Sequence, residues 1–315
     1  MLHLVEPETA GDPDRERKWI RRSLRKRCDE LALTGHGASE ATIARILKNH
    51  DSSLRVHAKE KEPGAQPPDR NQQFESIEAQ IAKVCAASQP IISVDAKKKE
   101  LIGEFKPAGK TWVQEPIRVN VHDFLSQAVG RAAPYGISDL QRNEGVVYVG
   151  PSADTPEFAV AAITRGWQEQ GRFQSPTATE MMILADAGGS NGCRPPFWKA
   201  ELQERLCNQL GLTVTVCHDP TGCSKWNPIE HRLFSQISLN WAGQPLRTFE
   251  TMLGFISSTT TKTGLKGTAS LLEGVFKTGR RVAKSVMKAL NIETHSVCPK
   301  WNYTIRPQAQ AASVT

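Results

Sequence analysis

The sequence predicts an α/β protein, in which a mixed sheet is flanked by helices and preceded by a small helix-turn-helix segment. Short apolar runs typical of buried strands, such as residues 91–94 and 181–185, alternate with longer segments whose apolar residues recur at helical spacing. An acidic residue closes each of these two runs, Asp95 in the first and Asp186 in the second. A carboxylate at the end of a buried strand is costly to desolvate unless it meets a cation or faces a cleft.

Length, composition and charge narrow the class of protein. The chain has 315 residues, of which 39% are hydrophobic, and this is enough for two domains with a real core. No apolar run approaches the roughly 20 residues of a membrane helix, and the N-terminus does not resemble a signal or transit peptide. We therefore expect a cytoplasmic protein that binds no membrane. The net charge of +7 favours a polyanionic partner, and the seven cysteines form no CxxC pair, which argues against a zinc site.

The first 50 residues have the outline of a DNA-reading helix pair. The pattern predicts a helix over 19–34, a glycine break at 35–37, and a second helix from about 40 to 48 with Ser39 as its N-cap. Side chains able to reach bases or phosphates lie on the exposed face of that second helix, namely Thr42, Arg45, Lys48 and Asn49. A hairpin that serves only for packing is the alternative.

Residues 51–70 are polar and contain three prolines, which predicts a linker before the main domain. A helix capped by Asp69 then leads into a series of strands and helices. The predicted strands cover 91–95 (continuing to about 105), 134–140, 146–149, 181–185 and 212–216, and the predicted helices cover 156–167, 197–210 and the segment from 227. Three strands followed by alternating helices and strands is the order of the ribonuclease H-like fold. That fold keeps an acidic site at neighbouring strand ends and on one later helix.

Three carboxylates fall in those places. Asp95 and Asp186 end two strands, and Glu230 lies where a turn enters an amphipathic helix. Three acidic side chains on separate elements predict a shared divalent-metal site, because hard oxygen ligands suit Mg²⁺ or Mn²⁺, whose main work on phosphates is phosphoryl transfer.

For each residue around this acidic site, the sequence allows either a contact with substrate or a purely structural role. Lys225 and Asn227 could touch a DNA phosphate or only shape the turn before Glu230. His218 could contact substrate or be a structural histidine, and the loop 188–192 could bind an anion or be a plain turn. Two tryptophans have the same ambiguity between stacking on bases and packing, Trp226 and Trp241.

Several motifs resemble the ISAzo group of bacterial insertion-sequence DDE transposases. They are Ile-Ser-Val-Asp at 92–95 with the lysine run that follows, Ala-Asp at 185–186 with the glycine-rich loop 188–192, and the segments 216–218, 224–227 and 229–235. The resemblance extends over residues 4–307. Members of this group usually carry a longer N-terminal segment, so the resemblance also implies that the chain is truncated at its N-terminus.

The resemblance implies a transposase that cleaves and joins DNA by two-metal-ion phosphoryl transfer. Asp95, Asp186 and Glu230 would be the catalytic residues and would bind two Mg²⁺ or Mn²⁺ ions, with Asp95 shared between them. The partners would be double-stranded DNA, both element ends and target, and further copies of the chain on that DNA. The implied division is a helix-turn-helix segment at 1–50, a linker at 51–70, a ribonuclease H-like catalytic domain at 71–255 and a basic C-terminal extension at 256–315.

Two other functions stay open at the level of the sequence. The chain could be a catalytically inactive DNA-binding relic of a truncated element. It could instead be a cellular nuclease on the same fold, which cuts DNA without joining it.

Overall fold

The computed structural model of the protein describes residues 9–11, 18–20, 23–49, 68–150 and 154–309. These residues belong to two units, Met1–Pro63 and Gly64–Thr315. Most of the predicted linker, residues 51–67, lies outside the described part of the chain. Among the described helices, none is both long and apolar enough to cross a membrane.

The first unit contains a small hairpin and a pair of helices. Its elements are β1 (Thr9–Gly11), β2 (Lys18–Ile20), α1 (Leu24–Leu33) and α2 (Glu40–Asn49). The expectation of a helix that begins at residue 19 is wrong, because β2 pairs with β1 in an antiparallel hairpin. The helix begins only after Ser23, whose Oγ accepts from the backbone N–H of Lys26. The predicted cap of the second helix is confirmed, since the Ser39 Oγ accepts from the Thr42 N–H at 3.2 Å.

The second unit begins with α3 (Arg70–Ala86) and contains the main sheet. Asp69 occupies the N-cap position of α3, but its side chain makes no capping hydrogen bond. The strands of the sheet are β3 (Ile91–Ala96), β4 (Glu100–Ile102), β5 (Gly130–Asp139), β6 (Glu144–Gly150), β7 (Glu180–Ala185), β8 (Thr213–His218), β9 (Lys266–Leu271), β10 (Ile292–Thr294) and β11 (Asn302–Ile305). The predicted first strand therefore ends at Ala96, and β4 is a separate strand that pairs with β5.

Five α-helices of six or more residues follow α3 in the described part of the same unit. They are α4 (Pro156–Gly166), α5 (Pro196–Glu201), α6 (Ser235–Asn240), α7 (Phe249–Ser257) and α8 (Lys284–Ala289). Wider π-helical turns extend α4 over Trp167–Gly171, extend α5 over Leu202–Asn208, and open α6 over Glu230–Phe234. The last predicted helix, expected from about residue 227, begins at Pro228, directly after the 3₁₀ turn at Ser224–Trp226 and Asn227.

The order of strands across the sheet is β10-β11-β8-β7-β3-β5-β6-β9. The three central strands β3, β7 and β8 are parallel, and β5 runs antiparallel to β3 on its other side. The inner order β8-β7-β3-β5-β6 is that of a ribonuclease H-like sheet, so the predicted fold class is confirmed.

Helices cover both faces of the sheet. Alternate residues of β7 point into different clusters: Met181 and Ile183 pack with α4 and α5, whereas Met182 and Leu184 pack with α3. A third cluster joins β6 to the Glu230 helix and α7. Buried on both faces, β7 is apolar throughout its inner length, and this is why the sequence shows a continuous apolar run there.

The segment 256–315 was expected to be a basic extension, but it supplies strands to the sheet. β9 pairs parallel with β6, and β11 pairs antiparallel with β8. All four residues of β11 are buried. These strands pair with partners far away in the sequence, so no local pattern predicts the pairing. The prediction of an extension therefore rested on the basic charge of the segment.

Candidate active site

The registers of the central strands bring acidic residues together at one edge of the sheet. Val94 of β3 pairs with Ala185 of β7, and Ala185 pairs with His218 of β8. One residue further along each strand, the chain carries Asp95, Asp186 and Asp219. Because carboxyl ends of parallel strands meet at the same edge, these three carboxylates follow one another across neighbouring strands.

A buried hydrogen-bond network attaches the start of the Glu230 helix to β3. The Ser93 Oγ donates to the Asn227 Oδ1 at 2.5 Å and accepts from the Ile229 N–H at 3.1 Å. The Asn227 Nδ2 donates to the Val94 carbonyl oxygen at 3.2 Å. All of these groups lie within a few residues of Asp95 or Glu230, so the network sets the position of the helix carboxylate relative to the strand carboxylate.

A missing side chain on β5 allows the same helix to approach the sheet closely. Gly136 pairs with Asp95 in the β3–β5 register. A Cβ at position 136 would lie 2.5 Å from a ring carbon of Phe234 and 2.9 Å from the Cδ1 of Ile229. Glycine is therefore required here for helix packing, and its backbone conformation is not the reason.

Asp95 lies at the electrostatic centre of the site. Burial first, then the negative charge of Asp186 and smaller effects of Glu230 and Asp154, raise the pKa of Asp95 to about 8, against a hydrogen bond from the Ala96 backbone N–H. The carboxylates are thus within reach of one another's charge. Asp154 precedes α4 and was not among the acids predicted for the site, because no buried strand or motif marks it in the sequence.

The other two predicted carboxylates have raised pKa values for related reasons. Burial, then the charge of Glu230, raises the pKa of Asp186 to about 6, against a hydrogen bond from Asn227. Burial also raises the pKa of Glu230, and the nearby ammonium of Lys97 opposes this effect. Both carboxylates therefore carry charge that their surroundings compensate only in part.

The chemistry of these donors fits a hard divalent cation. All are carboxylate oxygens, and the Asp186 Oδ1 is buried without a hydrogen-bond partner in the described structure. Within the described part of the chain, however, no three His, Cys, Asp or Glu side chains are arranged to hold one metal ion. A complete coordination shell would require the carboxylates to move toward a common point.

Comparison with known proteins assigns the family. The model of the Rhodopirellula transposase DDE domain matches residues 1–307. The chain belongs to this DDE transposase family. The resemblance to DDE transposases that the motifs indicated is therefore confirmed over nearly the whole chain.

Solved structures of Mos1 transposase are distant matches to this DDE transposase. A Mos1 transposase paired-end complex with the left transposon end is 13% identical, with a TM-score of 0.43 over 73% of this chain and 64% of that chain. A Mos1 mariner paired-end complex with Mn has a TM-score of 0.42 at 13% identity and the same coverage. The Mos1 strand transfer complex has a TM-score of 0.41 at 13% identity, over 76% of this chain and 70% of that chain. This chain thus spans less than two thirds of the first two. No curated protein matches the chain.

The DNA-contact candidates next to the acidic site differ in exposure. Asn227 is fully buried, so the structure favours its role in shaping the turn over a contact with phosphate. Lys225 lies on the 3₁₀ turn, with its Nζ 5.7 Å from the ring of Trp226, which is 55% exposed. Trp241 is buried beneath the Lys97 ammonium, 5.1 Å from the ring centroid, and this favours its packing role.

His218 and the glycine-rich loop form a structural support beside the site. The fully buried imidazole contacts the backbone oxygens of Trp301 at 3.0 Å and Asn191 at 2.9 Å. Burial lowers its pKa to about 4, against the two backbone oxygens, which favour the protonated ring. The loop closes on itself through a hydrogen bond from the Gly192 N–H to the Gly189 oxygen at 3.4 Å. These contacts favour the structural histidine and the plain turn.

The predicted DNA-reading residues lie on α2 of the first unit. Arg45 and Lys48 are exposed, and the Thr42 hydroxyl lies 3.0 Å from that of Ser39. Ile43 is buried on the opposite side of the helix. Contact of Thr42, Arg45 and Lys48 with DNA stays a prediction.

Proposed function

We propose that this member of the DDE transposase family cleaves DNA and joins the cut end to a target by metal-dependent phosphoryl transfer. The observation that carries the proposal is the placement of Asp95 and Asp186 level with each other at adjoining strand ends, with the start of the Glu230 helix hydrogen-bonded to β3 beside them. Like charges held this close in a partly buried site are costly unless a cation neutralises them. Mg²⁺ or Mn²⁺, bound as these side chains turn toward a common point, would supply that neutralisation.

Each carboxylate has a distinct part in the proposal. Asp95, whose pKa responds to both partners, is the central ligand, with Asp186 on the β7 side and Glu230 on the helix side. Two bound divalent ions would supply activation of the attacking oxygen and neutralisation of the leaving oxygen. Asn227 holds the entry of the Glu230 helix to β3 through its amide, and Lys97 balances part of the charge of Glu230.

No protein nucleophile is needed in this scheme. The attacking oxygen belongs to water in cleavage and to a DNA 3′-hydroxyl in joining, so one acidic site serves both steps. We further propose that Arg45, Lys48 and Lys225 contact double-stranded DNA, and that the chain acts as a homo-oligomer on DNA because element insertion involves two ends.

Nicking of supercoiled plasmid in Mn²⁺ tests the acidic site. The variants are Asp95→Asn, Asp186→Asn and Glu230→Gln, with Glu180→Gln at the opposite end of β7 as the matched control. We expect metal-dependent nicking by wild type and the control and a loss in all three site variants. Equal nicking by wild type and the three variants would remove the assignment of the site.

The same preparation separates the rival functions. Incubation of a pre-cut donor with target DNA yields joined products if the protein is a transposase and only cleavage products if it is a cellular nuclease. Binding of DNA without cleavage or joining by the wild-type chain would favour an inactive relic. Light scattering of the protein–DNA complex measures how many copies it contains.

A further inference from the structure

Asp219 lies next to Asp186 on the far side of the acidic site from Glu230. It follows directly after β8, whose last residue His218 pairs with Ala185. The Asp219 N–H donates to the Ala185 carbonyl oxygen at 2.9 Å. The backbone therefore holds Asp219 level with Asp186, as the β3–β7 register holds Asp95 level with it on the other side.

The Asp219 side chain is buried without a partner for one of its oxygens. It is 6% exposed, and its Oδ2 has no hydrogen-bond partner in the described structure. The Asp186 Oδ1 is also buried without a hydrogen-bond partner in the described structure. Burial and then the charge of Asp186 raise the pKa of Asp219, in agreement with the register that places the two residues level on neighbouring strands. Two buried, unpartnered carboxylate oxygens on neighbouring strands are a costly arrangement that a cation between them would relieve.

We propose that Asp219 is a fourth carboxylate of the cation site, and that its free oxygen binds the divalent ion held by Asp186. The inference rests on the proposed function, since it assumes a cation at Asp186. It adds a ligand that the three-acid pattern does not contain. The site would then extend over three neighbouring strands, with Asp186 between Asp95 and Asp219.

Calorimetric titration of the EDTA-stripped protein with Mn²⁺ tests the inference without relying on activity. We expect Asp219→Asn to weaken Mn²⁺ binding by about 10- to 100-fold, the usual cost of removing a group that supports a metal site. Glu180→Gln, which removes a carboxylate at the other end of β7, should bind as wild type does. If Asp219→Asn binds Mn²⁺ as tightly as wild type while Asp186→Asn binds it more weakly, the role of Asp219 is overturned and the proposed cation site stands. Wild-type affinity in both variants would also overturn the proposed cation site.

Thermal unfolding separates a ligand from a structural residue. Asparagine keeps the shape of the side chain and removes a like charge, so Asp219→Asn should melt in EDTA no lower than wild type does. Added Mn²⁺ should raise the Tm of the variant less than that of wild type, because binding to the folded state stabilises it in proportion to affinity. If the variant is destabilised in EDTA and its Tm rises with Mn²⁺ as much as that of wild type, Asp219 is only structural and the inference fails.

Discussion

Replacing Ser93 with alanine would detach the start of the Glu230 helix from β3. The Ser93 hydroxyl is fully buried and joins two groups of the helix entry, the Asn227 Oδ1 and the Ile229 N–H. Alanine leaves both groups without this partner. Each buried group left unpaired costs about 1–3 kcal/mol, which gives roughly 2–6 kcal/mol for the pair. Partial relaxation around Asn227, which keeps its bond to Val94, favours the lower half of that range, about 2–4 kcal/mol.

Urea unfolding in EDTA, followed by tryptophan fluorescence, measures this loss as a change in the free energy of unfolding. Ser138→Ala is the matched control, because Ser138 pairs with Ser93 on β5 and is equally buried. Within the described residues, the Ser138 side chain makes no hydrogen bond to the Glu230 helix, so its replacement should cost less than about 1 kcal/mol. A loss in Ser93→Ala no larger than that of the control would refute the reasoning.

The same variant should lose activity while it is still folded. If the network positions Glu230, then Ser93→Ala reduces Mn²⁺-dependent nicking by about tenfold or more, because small displacements of catalytic groups are costly to rate. The comparison is made well below the Tm of the variant. Full activity in a destabilised variant would mean that the network supports stability alone.

Three further predictions follow from the packing, the charges and the helix pair. Gly136→Ala should destabilise the protein by about 1–3 kcal/mol by overpacking against the Glu230 helix. Gly254→Ala, whose added Cβ meets open space in α7, should be neutral or stabilising. Equal urea midpoints for the two variants would contradict this prediction. In EDTA the Tm should fall as the pH rises from 5 to 8, because the folded state holds the proton of Asp95 up to a pKa of about 8, above the unfolded value of about 3.9. Asp95→Asn should flatten this dependence, and a wild-type Tm that rises over the same range would refute the assignment. The double variant Arg45→Ala, Lys48→Ala should weaken duplex binding measured by fluorescence anisotropy. The slope of log binding constant against log salt concentration should fall by about 0.9 for each phosphate that is no longer neutralised. An unchanged slope would exclude both residues from the DNA interface.

The strands that carry the first two acids could be predicted from local sequence. β3 and β7 are short, apolar and buried on both faces, and such runs are legible without knowing their neighbours. The rule that an acid directly after a buried strand marks a site also applies to Asp219, which was not predicted from the sequence. The third acid was instead assigned to Glu230, because the turn before it carries the more distinctive motif.

Other features depended on partners far away in the chain. The Asn227 amide is a group that can bind phosphate. In the structure it is buried and hydrogen-bonded to Val94 and Ser93, which lie more than a hundred residues earlier in the chain. The segment 256–315 has the composition of a basic tail, yet β9 and β11 pair with strands of the central sheet.

The sequence by itself determined that β3 and β7 are buried strands, that Asp95 and Asp186 stand at their ends, and that Ser39 caps a helix, because burial and helical period leave a local pattern. Only the tertiary structure decided that Asp219 lies level with Asp186 and that Gly136 is needed opposite Asp95. It also decided that Asn227 supports the helix from inside. Strand order, register and buried hydrogen bonds depend on which distant segments meet, and no local pattern records that choice.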